Sequence, residues 1–465
     1  MSVPRGKVYL IGAGPGAPDL LTLRALRALR EADVIVCDEL LPGSFLADTG
    51  IPLAGKEVIR LPKHHDAEQD AITERLRQVA AEGRVAARLK NGDPFIFGRG
   101  FEEARYLAER GIACEAIPGV SAGVAGPAGA GFALTRRGSG RSVAFATAVE
   151  AGGVEAAAFP RADSLVIFMA VGRLDRMAER LAGEGWPAET PCAVIERAGM
   201  AWEREVRGEL REIATRARSA GVASPALLVV GVAAAERTGG DQTRTILFTG
   251  LDPSNFRWMG RILHWPGLVV ELDPAGVAAA GGMIADLRAG RFDTVIFTSR
   301  IGVGAFFATL AETGGDARAF GGCRVIAAGG GTALRLRDFG VCADAAGEPG
   351  GCEGILRALG DPSGRRVLLV QGTHAPRGLE DRLREGGSVA RLALHRVAAN
   401  PELGRPLPEH DAIFFLSPSG ARAYFETYGA AAFRREVWCM GAVTRAALEA
   451  MGAVVARTVD STDAG

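Results

Sequence analysis

The sequence predicts an α/β protein whose sheets are largely parallel and covered by helices on both faces. Three observations predict it. Short Val/Ile/Leu-rich runs alternate with amphipathic stretches along the whole chain. Glycine-rich turns follow several of those runs, and the second half contains an internal repeat. Continuous apolar strands set between helices are the pattern of parallel sheets buried on both faces.

The bulk numbers bound the rest. At 465 residues the chain is too long for one core. Apolar content of 48% and charged content of 23% are those of a soluble globular protein. With 54 basic and 54 acidic residues the formal charge is zero. No global field therefore argues for nucleic acid or an anionic membrane. Seven dispersed cysteines without a CxxC pair fit reduced thiols, and so a cytoplasmic location. The six histidines show no metal-ligand spacing, and no metal is expected. The first residues, MSVPRGKVYL, lack the apolar stretch of a signal peptide. The longest apolar run, ALLVVGVAAA, is too short to cross a bilayer and reads as a buried strand.

The elements follow in order. KVYLIGAG opens a strand, a glycine turn and a helix, and DVIVCDEL, RVAARLK and DSLVIFMAV give further strands. ERTGGDQT, polar and with Gly-Gly, marks the main boundary, so domains are placed at 1–240 and 241–465. A weaker break at TRRGSGRS divides the first into lobes of about 1–138 and 139–240. Beyond the boundary, DTVIFTSRIGVGAFF recurs as DAIFFLSPSGARAYF, pairing Ser299 with Ser417 and Gly302 with Gly420. GGGTALRLRDFG recurs as GAVTRAALEAMG, pairing Thr332 with Thr444 and Gly340 with Gly452. Each copy reads as strand, Ser or Thr at a helix start, helix, and Gly at the stop. Two such lobes facing each other would point helix N-termini into one cleft suited to a polyanion.

Three stretches of the first half can carry chemistry. Gly12, Gly14 and Gly16 form GxGxG, which with Ala17 also fits a relaxed dinucleotide pattern. Pro15 and Pro18 crowd that turn and predict a helix starting later than in a dinucleotide fold, while Asp33 and Asp38 stand near the spacing of a ribose contact. RLKNGDPFIFGRG places Asn91, Gly92 and Asp93 in a turn, then an apolar Phe-Ile-Phe wall able to cover a flat heterocycle. AIPGVSAGVAGPAGAG offers small residues at a helix start, where backbone N–H groups lack partners.

Together and in this order, these stretches resemble the tetrapyrrole methylases. VYLIGAGPGAPDLLTLRALRALREADVIVCDEL, RLKNGDPFIFGRG and PGVSAGVAGPAGAGFALTRRG are similar to the uroporphyrinogen-III C-methyltransferases, over about residues 1–236. The resemblance implies a two-lobed fold with S-adenosyl-L-methionine folded in the cleft, in place of a dinucleotide. By motif it puts Pro15, Asn91, Gly92, Asp93, Ile96, Ser121, Ala122, Met169 and Ala198 at cofactor contacts. Asn91 and Ala198 stand where that family usually has glycine. Asp38 matches a proposed catalytic base, and Lys63 is the best match to a proposed proton donor. The resemblance also implies a tetrapyrrole substrate and a homodimer through the methylase half. The chemistry suits these residue types: the sulfonium methyl is already electrophilic, so alignment and a base for the leaving proton suffice. Arg99, Arg136, Arg137 and Arg141 could meet substrate carboxylates.

The second half, about 243–465, resembles the uroporphyrinogen-III synthases through VIAAGGGTALRLRDFG, VLLVQGTHAPRGLEDRLREGG and the repeat above. That resemblance implies a two-lobed α/β fold that closes hydroxymethylbilane with inversion of ring D. Ser299, Thr332, Ser417, Ser419 and Thr444 fall at its expected helix starts as substrate-binding candidates. His395 stands where relatives often carry a Tyr proposed to assist hydroxyl loss. The combined expectation is a bifunctional enzyme that makes uroporphyrinogen III and methylates it at C2 and C7 to precorrin-2, on the route to siroheme or cobalamin. Two alternatives stay open: a methyltransferase with a non-catalytic tetrapyrrole-binding half, and an NAD(P)- or flavin-dependent oxidoreductase built on Gly12, Gly14 and Gly16.

Overall fold

A computed structural model describes residues 6–38, 40–43, 45–51, 53, 55–61, 66–149, 158–237, 244–348 and 351–459. The first sheet is built of β1 (Lys7–Gly12), β2 (Val34–Asp38), β3 (Glu57–Leu61), β4 (Ala86–Lys90) and β5 (Ala113–Ile117). Its order is β3-β2-β4-β1-β5, and every pairing is parallel. β2 and β4 are buried over their full length, although Asp38 ends the first and Arg88 and Lys90 interrupt the second. Because all five strands run one way, Gly12, Asp38, Lys90 and Ile117 end along the same edge. That edge is where an open α/β sheet places a ligand crevice.

The second sheet holds β6 (Val143–Thr147), β7 (Ser164–Phe168), β8 (Pro191–Glu196), β9 (Arg204–Glu209) and β10 (Ala226–Gly231), in the order β6-β7-β10-β8-β9. Only β6 and β7 pair in parallel; the other three pairings are antiparallel. This departs from the parallel expectation. The segment Arg197–Glu203 between β8 and β9 is too short for a crossover, so the two form a hairpin. The apolar run of β10 reflects burial on both faces, whatever the strand direction. Leu228 and Val230 enter one core cluster, and Leu227 and Val229 enter another.

The strands beyond residue 244 are β11 (Thr245–Phe248), β12 (Arg261–His264), β13 (Leu268–Leu272), β14 (Thr294–Phe297), β15 (Arg324–Ala327), β16 (Ala345–Ala346), β17 (Arg366–Gly372), β18 (Ser388–Ala399), β19 (Ala412–Phe415), β20 (Glu436–Met440) and β21 (Val455–Val459). They make two sheets, ordered β12-β11-β19-β20-β21 and β13-β18-β17-β14-β15-β16. The first is wholly parallel; in the second only β13–β18 is antiparallel.

Sheets divide between residues 231 and 245, but compact bodies do not. Lys56–Gly267 and the residues from Asn400 onward belong to one body together with the N-terminal segment, while Leu268–Ala399 forms another. Trp202, from the β8–β9 hairpin, explains the first grouping. It lies in one core cluster with Leu247, Trp265, Ile413, Phe415 and Tyr424. Its ring centroid is 4.7 Å from that of Trp265, and its backbone N–H donates to the His264 carbonyl at 2.7 Å. Arg261 pairs with Glu205 at 2.9 Å, Arg197 with Glu402 at 3.2 Å and Arg405 with Glu196 at 3.4 Å.

Candidate active site

The opening turn leaves β1 at Gly12 and passes Gly14 and Gly16, with φ of 75° and 126°. A short turn, Pro18–Leu20, follows, and the helix starts only at Leu23, capped by Thr22 Oγ1 accepting from Ala25 N at 3.2 Å. The crowded prolines thus delay the helix. Asp33 lies just before β2, where it accepts from Val85 N at 2.8 Å, at the opposite end from the crevice. A ribose role for it is therefore withdrawn.

Three loops cross on glycine at the crevice edge. A Cβ at Gly12 would lie 2.4 Å from Gly119 N, and one at Gly119 would lie 2.2 Å from the Gly92 carbonyl, so no side chain fits at either position. Gly14 and Gly92 bond to each other, with N–H to O distances of 3.2 and 2.7 Å. Asp93 locks the crossing: Oδ1 accepts from Phe95 N at 2.9 Å and Oδ2 from Gly119 N at 3.1 Å. Ser121 caps the helix Ala122–Gly129 by accepting from Gly123 N at 3.2 Å. Asn91 Oδ1 is buried without a hydrogen-bond partner.

The second lobe meets these loops. A Cβ at Gly199 would lie 2.7 Å from Pro15 Cγ, and one at Gly16 would meet the Met200 side chain at 2.5 Å. Gly126, in the Ser121-capped helix, packs on Ala198, where an added Cβ would come within 2.7 Å. Phe97 packs on Phe168 with centroids 5.0 Å apart, directly before half-exposed Met169. Ile96 lies in the turn after Asp93, partly buried. Non-glycine residues with positive φ among those described are Phe97, Arg99, Met169, Arg197 and Trp202, all from these loops. Strained backbone of this kind concentrates where geometry is held for function. The structure thus brings Pro15, Asn91, Gly92, Asp93, Ser121, Ala122, Met169 and Ala198 into one contiguous set of loops. Lys63 lies outside the described residues. Arg136 is engaged by the Glu236 carboxylate and carbonyl.

Beneath the loops is a buried charge network that sequence reasoning missed apart from Asp38. Arg88 Nη2 donates to Asp38 Oδ1 at 2.5 Å, and Lys90 Nζ to Glu103 Oε1 at 2.8 Å. Arg88 Nε is 3.6 Å from that same Glu103 oxygen. Burial and the Arg88 charge hold the Lys90 ammonium below its ordinary pKa, while Glu103 opposes them. A signal was available: two cations two residues apart in a fully buried strand share a face, and such a face needs anions.

Of the second-half candidates, Ser299 and Ser417 are true N-caps. Their Oγ atoms accept from Gly302 N at 3.0 Å and Gly420 N at 3.2 Å. Thr332 and Thr444 are corrected: both are buried inside the first turn, and Gly329 and Met440 occupy the cap positions. Ser419 is the second residue of its helix, Pro418–Tyr428, and is exposed. In the Leu268–Ala399 body, His395 is buried with Nδ1 unpartnered, and burial pushes its pKa down.

A parallel lobe and a mixed lobe meeting over glycine loops, with ionisable groups under the strand ends, define a two-lobed α/β enzyme architecture. The family model of Tetrapyrrole (Corrin/Porphyrin) Methylases matches residues 7–214, and that of Uroporphyrinogen-III synthase HemD matches residues 275–462. The chain is 42% identical over 240 residues to an S-adenosyl-L-methionine-dependent uroporphyrinogen III methyltransferase of Methanosarcina barkeri, covering 50% of this chain and 93% of that protein. It is 41% identical over 232 residues to a uroporphyrinogen-III C-methyltransferase of Pseudomonas aeruginosa, covering 49% and 93%. It is 41% identical over 237 residues to Siroheme synthase 1 of Halorhodospira halophila, but spans only 48% of that protein and 49% of itself. The chain belongs to the tetrapyrrole methylases, with a uroporphyrinogen-III synthase domain in its second half.

Proposed function

We propose that the chain is a bifunctional enzyme of tetrapyrrole biosynthesis. Its second half closes hydroxymethylbilane to uroporphyrinogen III, and its first half methylates that product at C2 and C7 to precorrin-2. Supporting this is the convergence of the Gly12–Gly16, Asn91–Asp93 and Ser121–Ala122 loops with Met169 and Ala198, above Asp38. We assign domains at 1–240 and 241–465, a cytoplasmic location and a homodimer through the methylase half to the same reading. Among the described residues no helix is long and apolar enough to cross a membrane.

The residues suit S-adenosyl-L-methionine. Glycine crossings bring backbone close to a ligand, Asn91 Oδ1 is an acceptor without a partner, and the Met169 region offers an apolar, half-exposed rim. Asn91, Gly92, Asp93, Ser121, Ala122 and Ala198 would hold that cofactor, which supplies an electrophilic methyl on a sulfonium. Phe95 and Phe97, both well exposed, give a flat apolar surface for the macrocycle. C2 and C7 already carry a side chain and become quaternary on methylation, so Asp38 is the base for a proton lost from a neighbouring position of the macrocycle. That loss restores neutrality after the methyl cation equivalent is added. Arg88 holds Asp38 Oδ1, which fixes the carboxylate's orientation and leaves the second oxygen for that proton.

The deciding experiment supplies the full chain with hydroxymethylbilane and S-adenosyl-L-methionine and weighs the product. A type III macrocycle carrying two added methyl groups is expected; an unmethylated type I product overturns the proposal. Asp93→Ala, which unties Phe95 N and Gly119 N, is expected to weaken cofactor binding by at least tenfold in calorimetry, as loss of two hydrogen bonds to a carboxylate, worth about 1.5–3 kcal/mol, would do.

A further inference from the structure

Four ionisable side chains lie almost wholly out of water beneath the crevice: Arg88 is 0% exposed, Glu103 2%, Lys90 4% and Asp38 6%. Two come from one strand. Arg88 and Lys90 alternate with Leu89 along β4 and so project from the same face. Asp38 ends the neighbouring strand β2, whose Cys37 is in register with Leu89. Glu103 is the fourth residue of the helix Gly100–Glu109, which follows the loop carrying Asn91, Gly92 and Asp93.

Glu103 is the hub. Its Oε1 takes the Lys90 ammonium at 2.8 Å and stands 3.6 Å from Arg88 Nε. Arg88 Nε makes no hydrogen bond there and meets Glu103 as a charge contact, while Nη1 donates to the Leu89 carbonyl at 3.3 Å. Because the guanidinium is planar and rigid, the Glu103 charge and that carbonyl together set where its far nitrogen points. That nitrogen, Nη2, is the one 2.5 Å from Asp38 Oδ1. Lys90 faces Glu103, so two cations and two anions meet here among the described residues. Stability is a weak reason for such a cluster, since apolar residues of like volume often serve a fold as well or better. A fixed direction for one carboxylate is a stronger one.

We propose that Glu103 is a positioning residue for methyl transfer: through Arg88 it fixes the orientation of Asp38, and Lys90 supplies the charge that keeps Glu103 in place. The inference rests on reading the crevice as the methyl-transfer site and goes beyond it by naming how its base is held. Glu103 touches neither substrate nor cofactor in this scheme. Its effect therefore belongs in turnover, not in cofactor affinity.

The test is a double-mutant cycle in the full chain, with Glu103→Gln, Asp38→Asn and the pair. Turnover of uroporphyrinogen III is measured at saturating S-adenosyl-L-methionine, and S-adenosylhomocysteine binding is measured by calorimetry. Glu103→Gln is expected to lower kcat by roughly tenfold to a hundredfold, the range for a misdirected catalytic group. Cofactor-product affinity should stay within about threefold of wild type, well below that loss in kcat. In the Asp38→Asn background Glu103→Gln should add no further loss, because groups acting as a unit are not additive. If Glu103→Gln does not fold, Glu103→Asp enters the same cycle, keeping the charge while shortening its reach to Arg88. Losses that multiply across the cycle, or a fall in affinity that accounts for the whole loss, overturn the proposal. A wild-type chain that binds no S-adenosylhomocysteine instead overturns the reading on which it rests.

Discussion

Strand β4 ends with Arg88 and Lys90 buried beside Asp38 and Glu103, whereas β17 carries buried Gln371 just before its last residue, Gly372, which pairs with His395 of β18. Both strand ends bury polar side chains at the carboxyl edge of a sheet. In the first, each charge meets an opposite charge within 2.5 to 3.6 Å. In the second, the groups are uncharged, and Gln371 Nε2 and His395 Nδ1 lack protein partners. The difference suits the two chemistries. Under the proposed function the first region holds a charged base in one orientation, and breaking such an ensemble strands an ion in the interior. Under the same proposal the second region closes a ring on a polyanion, for which neutral hydrogen-bond donors are available at small electrostatic cost.

The comparison predicts unequal sensitivities. Replacing Arg88 by Met leaves Asp38 and Glu103 buried without their shared cation. It should cost about 3–5 kcal/mol in chemical denaturation of the full chain. A loss below about 1 kcal/mol would mean that the network is less closed than its distances indicate. Trp202→Ala empties a site in the Trp265–Tyr424 cluster and should cost about 3–5 kcal/mol. Because the hairpin belongs to the methylase half, that loss should appear as faster amide exchange in β11 and β19, a full sheet away from the substitution. Exchange changes confined to β8 and β9 would break the grouping of these lobes into one body.

Acid provides a gentler probe of the second region. Burial lowers the His395 pKa in the folded chain below its ordinary value of 6.5. The unfolded chain therefore binds the extra proton first, and stability must fall as pH drops below about 6.5 until the folded value is reached. His395→Gln should flatten the stability–pH profile over that window. His410 is shifted in the same direction by burial, so part of the slope should persist. The smallest effect is expected for Gln371→Leu, which trades an unpartnered amide for an apolar side chain of similar shape. It should change stability by less than about 1 kcal/mol, against the several expected for Arg88→Met.

Much of the methylase crevice was legible because its loops are local. Glycines that must turn or touch, prolines that delay a helix and a Ser before a run of small residues each act within a few positions, so Gly12–Gly16, Asn91–Asp93 and Ser121 could be marked from their neighbours. The repeat showed the helix starts at Ser299 and Ser417 for the same reason. It misled at Thr332 and Thr444, where the hydroxyl falls inside the helix and a residue of a different type takes the cap. The antiparallel pairing of β10 was hidden because burial on both faces gives one apolar pattern for either strand direction.

The sequence by itself determined the α/β class, the two halves, the glycine loops and the residues able to line a crevice. All of these depend on interactions a few positions apart, where backbone sterics and hydrogen-bond reach act directly. Only the tertiary structure decided that Arg88 meets Asp38, 50 residues earlier, that Glu103 joins Arg88 to Lys90, and that Trp202 sits in the core of the following lobe. Partners for buried charges and large rings are chosen by strand order and packing. A side chain in the chain's own order carries no record of which distant strand will lie beside it.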